Sequence, residues 1–258
     1  MALTSRLELK RKLSQFQIQI GKARIPRILL GTSPFLAAGQ FGKRAIAYYQ
    51  KFQQPENIAE VMRAAIDFGV LGVQVLPAPK VFEAIRIVES EIGGKLTLIG
   101  TVGLHHALEE IKIFGEFNTV AMLLHGSLTD SKNVKLISEL LNKIHASNCL
   151  AGLVSHHPLV MLRWLSKVDL SADVDLLMLP FNKLGMFMDA EPALLAEEIM
   201  RIGKPVIAKK VLAAGYLSPK DAFRFIAQNK CISIVAVGIA SVKEAKETFS
   251  TAITTFLN

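Results

Sequence analysis

Residues 204–247 have the sequence KPVIAKKVLAAGYLSPKDAFRFIAQNKCISIVAVGIASVKEAKE, which predicts two consecutive strand–loop–helix units. The apolar runs at 206–211 and 232–237 are typical of strands that are buried on both faces. Ser218, followed by proline, predicts the start of one helix, and Ser241, with glutamate three positions later, has capping-box spacing for a second helix. This strand–loop–helix order is that of the last two units of a β/α barrel.

Two glycine-containing loops connect these strands and helices, one around Gly215 and one around Gly238. Both loops are predicted to lie at the carboxyl ends of strands and next to helix N-termini. Backbone N–H groups and the helix dipole favour anions at such a place, and β/α barrels commonly bind phosphate there.

The rest of the chain repeats the pattern six more times. Six further strands are predicted, at 27–32, 70–76, 96–102, 119–124, 150–154 and 174–179. Six helices alternate with them: the first begins at Pro55, and the others are predicted at 81–92, 106–114, 131–146, 159–167 and 192–202. Residues 7–25 predict a short hairpin or cap across the barrel bottom, and 31–52 predict a long loop of the kind that often serves as a lid. We therefore predict one (β/α)8 TIM-barrel domain spanning residues 1–258, with an N-terminal β-hairpin closing its bottom.

The composition limits the function classes. Apolar residues make up 51% of the 258 positions, enough for a large core, and no apolar run reaches the roughly 18 residues of a membrane span. The net charge of +8 is concentrated near the start, at Arg6, Lys10, Arg11, Lys12, Lys22, Arg24 and Arg27. No nucleic-acid motif accompanies this charge, so we interpret it as a solvated basic face or an attraction for anionic ligands. We expect neither a nucleic-acid nor a membrane partner.

The two cysteines, Cys149 and Cys231, have no metal-type spacing. Such low cysteine usage suits a reducing compartment, and no apolar segment follows the basic N-terminus as in a signal peptide. We therefore expect a cytoplasmic protein, and the sequence predicts no metal site.

Polar residues at the strand ends are expected to converge on one barrel mouth. They are Thr32, Ser33, Gln74, Thr101, His125, Ser155, His156, Asn182, Lys209 and Lys210. His125 is the best candidate for a general acid or hydrogen-bond donor, and the alternative is a histidine satisfied by nearby backbone. Of His156 and His157, we expect at most one to reach the mouth.

Lys209 and Lys210 lie deep within a run that is otherwise apolar. Because side chains alternate along a strand, we expect one lysine to point inward and the other outward. An inward lysine could bind an anion or form a Schiff base if burial depresses its pKa, and the alternative is a lysine that extends to the rim.

Several segments, taken in order, resemble the aldo-keto reductase family. SRLELKRKL…FQIQIGKARIPRILLGTSPF resembles the family's bottom hairpin and first strand, and VAMLLHGSLTD resembles the strand that ends on a catalytic histidine, here His125. LAGLVSHHPLVMLRWL resembles the next strand, and PVIAKKVLAAGYLSPKDAFRFIAQN with IVAVGIASVKEAKET resembles the segments that hold the cofactor phosphates. The resemblance implies a TIM barrel that binds NADP or NAD.

The resemblance also implies roles for particular residues. The residues that would border the cofactor are Ser155, His156, Asn182, Gly215, Gly238, Ile239, Ala240 and Ser241. Of the family's catalytic Asp, Tyr, Lys and His, only the histidine is matched, since Gln74 and Thr101 stand near the Asp and Lys positions. Lys209 replaces an aromatic that often stacks on the nicotinamide, and Ala240 replaces a basic residue that often meets the 2′-phosphate.

Three hypotheses follow for function. The first is an NAD(P)H-dependent oxidoreductase that acts on a small carbonyl compound through His125. The second is a lyase or isomerase of a phosphorylated or carboxylated metabolite that uses Lys209, and the third is a non-catalytic barrel. The third includes a scaffold or a binding protein, and the ligand that we expect is a small anionic or carbonyl molecule. The apolar segment at 184–188 predicts a homo-oligomer, with a lid or simple packing as alternatives.

Overall fold

The protein folds as a closed eight-stranded parallel barrel with helices between the strands, and a separate two-stranded antiparallel hairpin precedes it. A computed structural model describes residues 11–103 and 106–257. The hairpin strands are β1 (Gln17–Ile20) and β2 (Ala23–Pro26). The barrel strands, in chain order and in order around the barrel, are β3 (Ile28–Gly31), β4 (Gly72–Val75), β5 (Thr97–Val102), β6 (Thr119–Leu124), β7 (Leu150–Val154), β8 (Leu176–Pro180), β9 (Val206–Lys209) and β10 (Ile234–Gly238). The TIM-barrel prediction is confirmed.

Proline defines the start of many outer helices. Five helices have proline in their first turn, where its missing N–H costs no hydrogen bond and its fixed φ suits the helix. The α-helices are Arg44–Lys51, Pro55–Ile66, Pro79–Ile92, Ala107–Phe114, Gly126–Thr129, Val134–Ala146, Pro158–Leu165, Pro192–Ile202, Pro219–Gln228 and Val242–Phe256. Short 3-10 helices occupy Ser33–Leu36, Gly39–Phe41, Ser171–Asp173 and Ala213–Gly215.

The hairpin closes the bottom of the barrel. Ile20 and Ile25 are buried in the same apolar cluster as Leu29, Ala121 and Leu176, which lie inside the barrel. Ile25 is fully buried there. The N-terminal hairpin predicted from residues 7–25 is confirmed over Gln17–Pro26, whereas residues 11–15 are helical and residues 7–10 lie outside the described part of the chain.

Alternation along the strands separates two apolar layers. Val206 and Ala208 belong to the outer layer, which packs against the helices, and Ile207 belongs to the inner one. Closer to the carboxyl ends of the strands, the inward-facing residues include the polar Gln74 and Thr101. The Gln74 amide donates a hydrogen bond to Thr101 Oγ1 over 3.1 Å. The barrel is therefore apolar below and polar at its carboxyl-terminal mouth.

Two predicted boundaries were wrong. Residues 31–52 are not a structureless loop, because they contain the two short helices Ser33–Leu36 and Gly39–Phe41 and the α-helix Arg44–Lys51. The helix predicted at 131–146 begins later, at Val134, and is preceded by the separate turn of helix Gly126–Thr129. In the described part of the chain, no helix has the length and apolar character needed to cross a membrane.

The 184–188 loop folds back on the barrel. The buried Asn182 holds it, since its amide donates to Met186 O over 2.8 Å and its Oδ1 accepts from the N–H groups of Leu184 and Met186 at 3.1 and 3.2 Å. The Phe187 ring lies 4.6 Å from the Lys210 ammonium. Leu184 is the exposed member of the loop, with 51% of its surface accessible.

Candidate functional site

A cavity of about 700 Å³ opens at the carboxyl ends of the barrel strands. Inward-facing Gln74, Thr101 and Met178 form part of its wall, where the polar layer meets the apolar core. One end is lined by His125, His156 and Lys209, and the other reaches the loops after β9 and β10. The volume is within the usual range for small-molecule sites.

His125 follows β6 and caps the helix Gly126–Thr129. Its Nδ1 accepts a hydrogen bond from the Ser127 N–H over 3.2 Å and lies 2.8 Å from Ser127 Oγ. Burial, together with the charges of His156 and Lys209, lowers the pKa of His125 from 6.5 to about 4. The ring is therefore neutral at pH 7. Since Nδ1 is the acceptor, the proton is on Nε2.

Asp130 joins the ends of β6 and β7. Its Oδ1 accepts from the Ser155 hydroxyl over 2.5 Å, and its Oδ2 accepts from the His156 N–H over 3.1 Å and lies 3.4 Å from His156 Nδ1. Burial alone would raise the pKa of Asp130, but the hydrogen bonds from His156 and Ser155 lower it to about 2. Asp130 is thus a carboxylate that orients the His156 ring.

Lys209 ends β9 and faces the cavity. Within residues 11–103 and 106–257, no group forms a hydrogen bond or ion pair with its ammonium. Burial, helped by the charge of Lys210, lowers the pKa of Lys209 from 10.5 to about 7. Near neutral pH this side chain exists both as an ammonium and as a free amine, and it can act as an acid or as a nucleophile.

Lys210 also lines the cavity. Alternation predicted that one of the two lysines points away, and this prediction was wrong because β9 ends at Lys209. Lys210 has φ of +58°, so the left-handed turn there cancels the alternation of a strand. Lys210 therefore lines the same cavity as Lys209, with its ammonium over the Phe187 ring, and burial lowers the pKa of Lys210 as well.

The helix Arg44–Lys51 covers the far end of the cavity. The Arg44 guanidinium donates to Ala214 O, and the Lys51 ammonium donates to Ala240 O over 2.8 Å. Gly215 has φ of +90°, and a Cβ there would lie 2.8 Å from Arg44 Nη1. Glycine at this position therefore leaves room for a cation beside the loop.

The helix N-termini after β9 and β10 carry their own caps. Ser241 Oγ accepts from the Glu244 N–H over 3.1 Å, and the Glu244 carboxylate accepts from the Ala240 N–H over 2.9 Å. Ser241 is confirmed as the cap of this helix, whereas the Glu244 carboxylate bonds to the N–H one residue before the cap and not to that of Ser241, as a capping box requires. Glu244 and Glu247 also line the cavity, so this end presents carboxylates as well as the Arg44 cation.

The cavity brings together only part of the predicted site. His125, His156, Lys209, Gly215 and Gly238 line it. The other predicted cofactor contacts lie behind its wall: Ser155 bonds to Asp130, Asn182 bonds to its own loop, Ile239 and Ala240 are buried, and Ser241 caps its helix.

Sequence reasoning missed several cavity or network residues, among them Asp130, Arg44, Tyr48, Glu244 and Glu247. Tyr48 lies in the wall, and burial together with Glu244 raises its pKa, which makes it a weaker acid than a free tyrosine. The described residues contain no cluster of three or more histidine, cysteine or acidic side chains that could hold a metal ion.

No family model matches the chain, and no curated protein matches it in sequence. Two solved structures, both described provisionally as an aldo-keto reductase from Pseudomonas aeruginosa, have a similar fold. Each gives a TM-score of 0.68 and covers 94% of this chain and 96% of the other, at 15% and 16% sequence identity. The resemblance to aldo-keto reductases therefore holds at the level of the fold. A zinc-bound amidohydrolase from Burkholderia ambifaria overlaps at a TM-score of only 0.45, at 12% identity over 96% of this chain and 74% of that one, and supports no inference.

Proposed function

We propose that this protein is an NAD(P)H-dependent oxidoreductase that reduces a small carbonyl compound in the cavity at the barrel mouth. The observation that carries the proposal is His125, whose neutral ring lies at the cavity with its proton on Nε2. It occupies the strand end at which the family resemblance expects a catalytic histidine. The shared aldo-keto reductase fold supports the same assignment.

The residues of the site divide the chemistry between them. Carbonyl reduction adds a hydride to carbon and a proton to oxygen, and a bound nicotinamide would supply the hydride. His125 Nε2–H donates a hydrogen bond to the carbonyl oxygen, which stabilises the negative charge that develops there. The Lys209 ammonium gives that oxygen its proton and becomes a neutral amine, which its pKa of about 7 permits. Solvent at the mouth then returns the proton to Lys209.

The far end of the cavity fits a dinucleotide. Arg44 and Lys210 line the cavity and offer positive charge for phosphate groups, and the Gly215 loop lets the Arg44 guanidinium approach. Glu244 and Glu247 line the same end and are suited to accept hydrogen bonds from ribose hydroxyls. The same carboxylates would repel a 2′-phosphate, so we expect NADH to bind more tightly than NADPH.

Calorimetric titration with NADH and NADPH tests the cofactor. We expect NADH to bind, Arg44→Gln to weaken both cofactors, and Glu244→Gln to narrow the difference between them. Lys220 is exposed on the helix Pro219–Gln228, and Lys220→Gln is the matched control for the loss of a positive charge. Absence of binding by both cofactors at millimolar concentration would reject the oxidoreductase.

Turnover tests the role of His125. In an absorbance assay over a panel of small aldehydes and ketones, His125→Ala should lower kcat by a factor on the order of 10² to 10⁴, the usual cost of losing an acid–base group. Equal rates for the wild type and the variant would remove His125 from the chemistry. An inactive wild type that still binds NADH would instead favour a non-catalytic barrel.

A second candidate rests on Lys209, although the fold similarity does not favour it. An amine that has no partner among residues 11–103 and 106–257 and has a pKa of about 7 can attack a carbonyl carbon. Loss of water then leaves a protonated imine, as in lyases and isomerases that act through a Schiff base. Borohydride added with a small aldehyde or keto acid would reduce that imine to a stable secondary amine. Mass mapping should then find the adduct on Lys209, and it should be absent from Lys209→Met. An unlabelled Lys209 would exclude this chemistry.

A further inference from the structure

Neighbouring groups favour opposite tautomers of the two cavity histidines. His125 Nδ1 accepts from the Ser127 N–H, so its proton is on Nε2. In the neutral form of His156 the proton is on Nδ1, because this atom lies 3.4 Å from the ionised Asp130 carboxylate, which only accepts hydrogen bonds. In each ring Nδ1 is thus the nitrogen next to a protein group. Both rings line the cavity, and Nε2 is the nitrogen that remains for a ligand.

The two Nε2 atoms therefore offer different chemistry side by side. The ring centroids are 5.6 Å apart and the rings meet edge to face. His125 presents a donor and the neutral form of His156 presents an acceptor, and no described residue bonds to either Nε2. Such a pair is satisfied by a ligand that carries an acceptor next to a donor.

We propose that His125 and His156 together bind an α-hydroxycarbonyl compound, in which the carbonyl oxygen accepts from His125 Nε2–H and the adjacent hydroxyl donates to His156 Nε2. This inference rests on the proposed carbonyl reduction and gives that reaction a substrate class. The two oxygens are carried by neighbouring carbon atoms, so one small molecule can reach both rings. A simple ketone can accept the hydrogen bond from His125 Nε2–H, but it has no hydroxyl to donate to His156 Nε2.

Asp130 is the positioning residue of this pair. Its Oδ2 accepts from the backbone N–H of His156 and lies 3.4 Å from Nδ1 of the ring, and its Oδ1 accepts from the Ser155 hydroxyl. Gly126 completes the arrangement, because a Cβ at this position would overlap with His156 Nδ1. The ring can lie against Asp130 only while residue 126 has no side chain.

Nitrogen NMR of the imidazole rings tests the tautomers without any assumption about activity. Long-range ¹H–¹⁵N correlation should show a protonated Nδ1 and an unprotonated Nε2 in His156, and the reverse in His125. Asp130→Asn should mix the two forms of His156. Asp175→Asn is the matched control, because Asp175 contacts His145 Nε2 over 2.8 Å in another Asp–His pair. The control should alter His145 alone.

Ligand binding is followed with the same signals. Hydroxyacetone should shift the His156 Nε2 resonance, whereas acetone should shift only His125, and His156→Phe should bind hydroxyacetone about tenfold more weakly, as expected for one lost hydrogen bond. If the enzyme turns over, the preference of kcat/KM for hydroxyacetone over acetone should fall by the same factor in His156→Phe and in Asp130→Asn.

The outcomes separate this inference from the proposed function. A protein that binds hydroxyacetone through His156 but reduces no carbonyl with NADH or NADPH would reject the oxidoreductase and keep the pair. A His156 proton found on Nε2, or equal responses to hydroxyacetone and acetone, would overturn the pair even in an active reductase.

Discussion

Replacing Lys209 with methionine should stabilise the folded protein, and the gain should shrink as the pH rises. The side chain lies at the cavity with no bonding partner among the described residues, so its charge is poorly compensated in the fold. Methionine has a similar length and no charge. Lys209→Met therefore removes the cost of the charge while it keeps most of the packing.

The pKa of Lys209 sets the magnitude. Burial first, and the charge of Lys210 second, lower it from 10.5 to about 7, so the folded state holds the proton less tightly than the unfolded chain does. The cost is complete below pH 7, where both states are protonated, and disappears above pH 10.5, where both are neutral. At 1.36 kcal/mol for each tenfold change, the cost is roughly 5 kcal/mol at pH 6 and roughly 2 kcal/mol at pH 9.

Urea unfolding at pH 6, 7.5 and 9, followed by the fluorescence of Trp164, measures the difference. We expect the gain of Lys209→Met over the wild type to fall by roughly 3 kcal/mol between pH 6 and pH 9. Lys220→Met, at an exposed position, is the control and should show no such trend. A Lys209→Met variant that is less stable than the wild type at pH 6, or a gain that does not change with pH, would refute the reasoning.

Three further predictions concern packing and assembly. Gly126→Ala should displace the His156 ring and cost about 1–3 kcal/mol of unfolding free energy in urea, whereas Gly94→Ala, with no atom closer than 3.9 Å, should cost little. Asp189→Ala should lower the free energy of unfolding by about 1–2 kcal/mol in the same assay, because the Asp189 carboxylate accepts from two N–H groups at the start of the helix Pro158–Leu165. An unchanged urea midpoint would contradict this. In sedimentation velocity at tens of micromolar, we expect a wild-type dimer and a monomeric Leu184→Glu variant, and a monomeric wild type would remove the oligomer.

The barrel could be predicted because a strand buried on both faces is a continuous apolar run. β6 and β7 lie within the predicted limits for this reason. The helix Arg44–Lys51 could not be predicted in the same way, since none of its residues is fully buried and its contact with the core is made by the partly buried Tyr48. It also lacks a side-chain cap, because Lys43 occupies the cap position.

The site was less accessible to sequence reasoning than the fold. His125 directly follows β6 and Lys209 is the last residue of β9, so both could be predicted from the positions of the strand ends. Asp130 lies beyond β6 and meets Ser155 and His156, which are 25 and 26 positions away, so only the folded loops reveal the contact. Lys210 departs from the expected direction because its left-handed backbone ends the alternation, and no local pattern marks a lysine for that conformation.

The helix Arg44–Lys51 is held by main-chain oxygens, since Arg44 bonds to Ala214 O and Lys51 bonds to Ala240 O. A carbonyl oxygen is present whatever residue carries it. A mutation at position 214 that preserves the backbone would therefore leave the helix attached while it changes the lining of the cavity. A lineage of such barrels can in this way exchange one ligand for another without rebuilding the cover of the cavity.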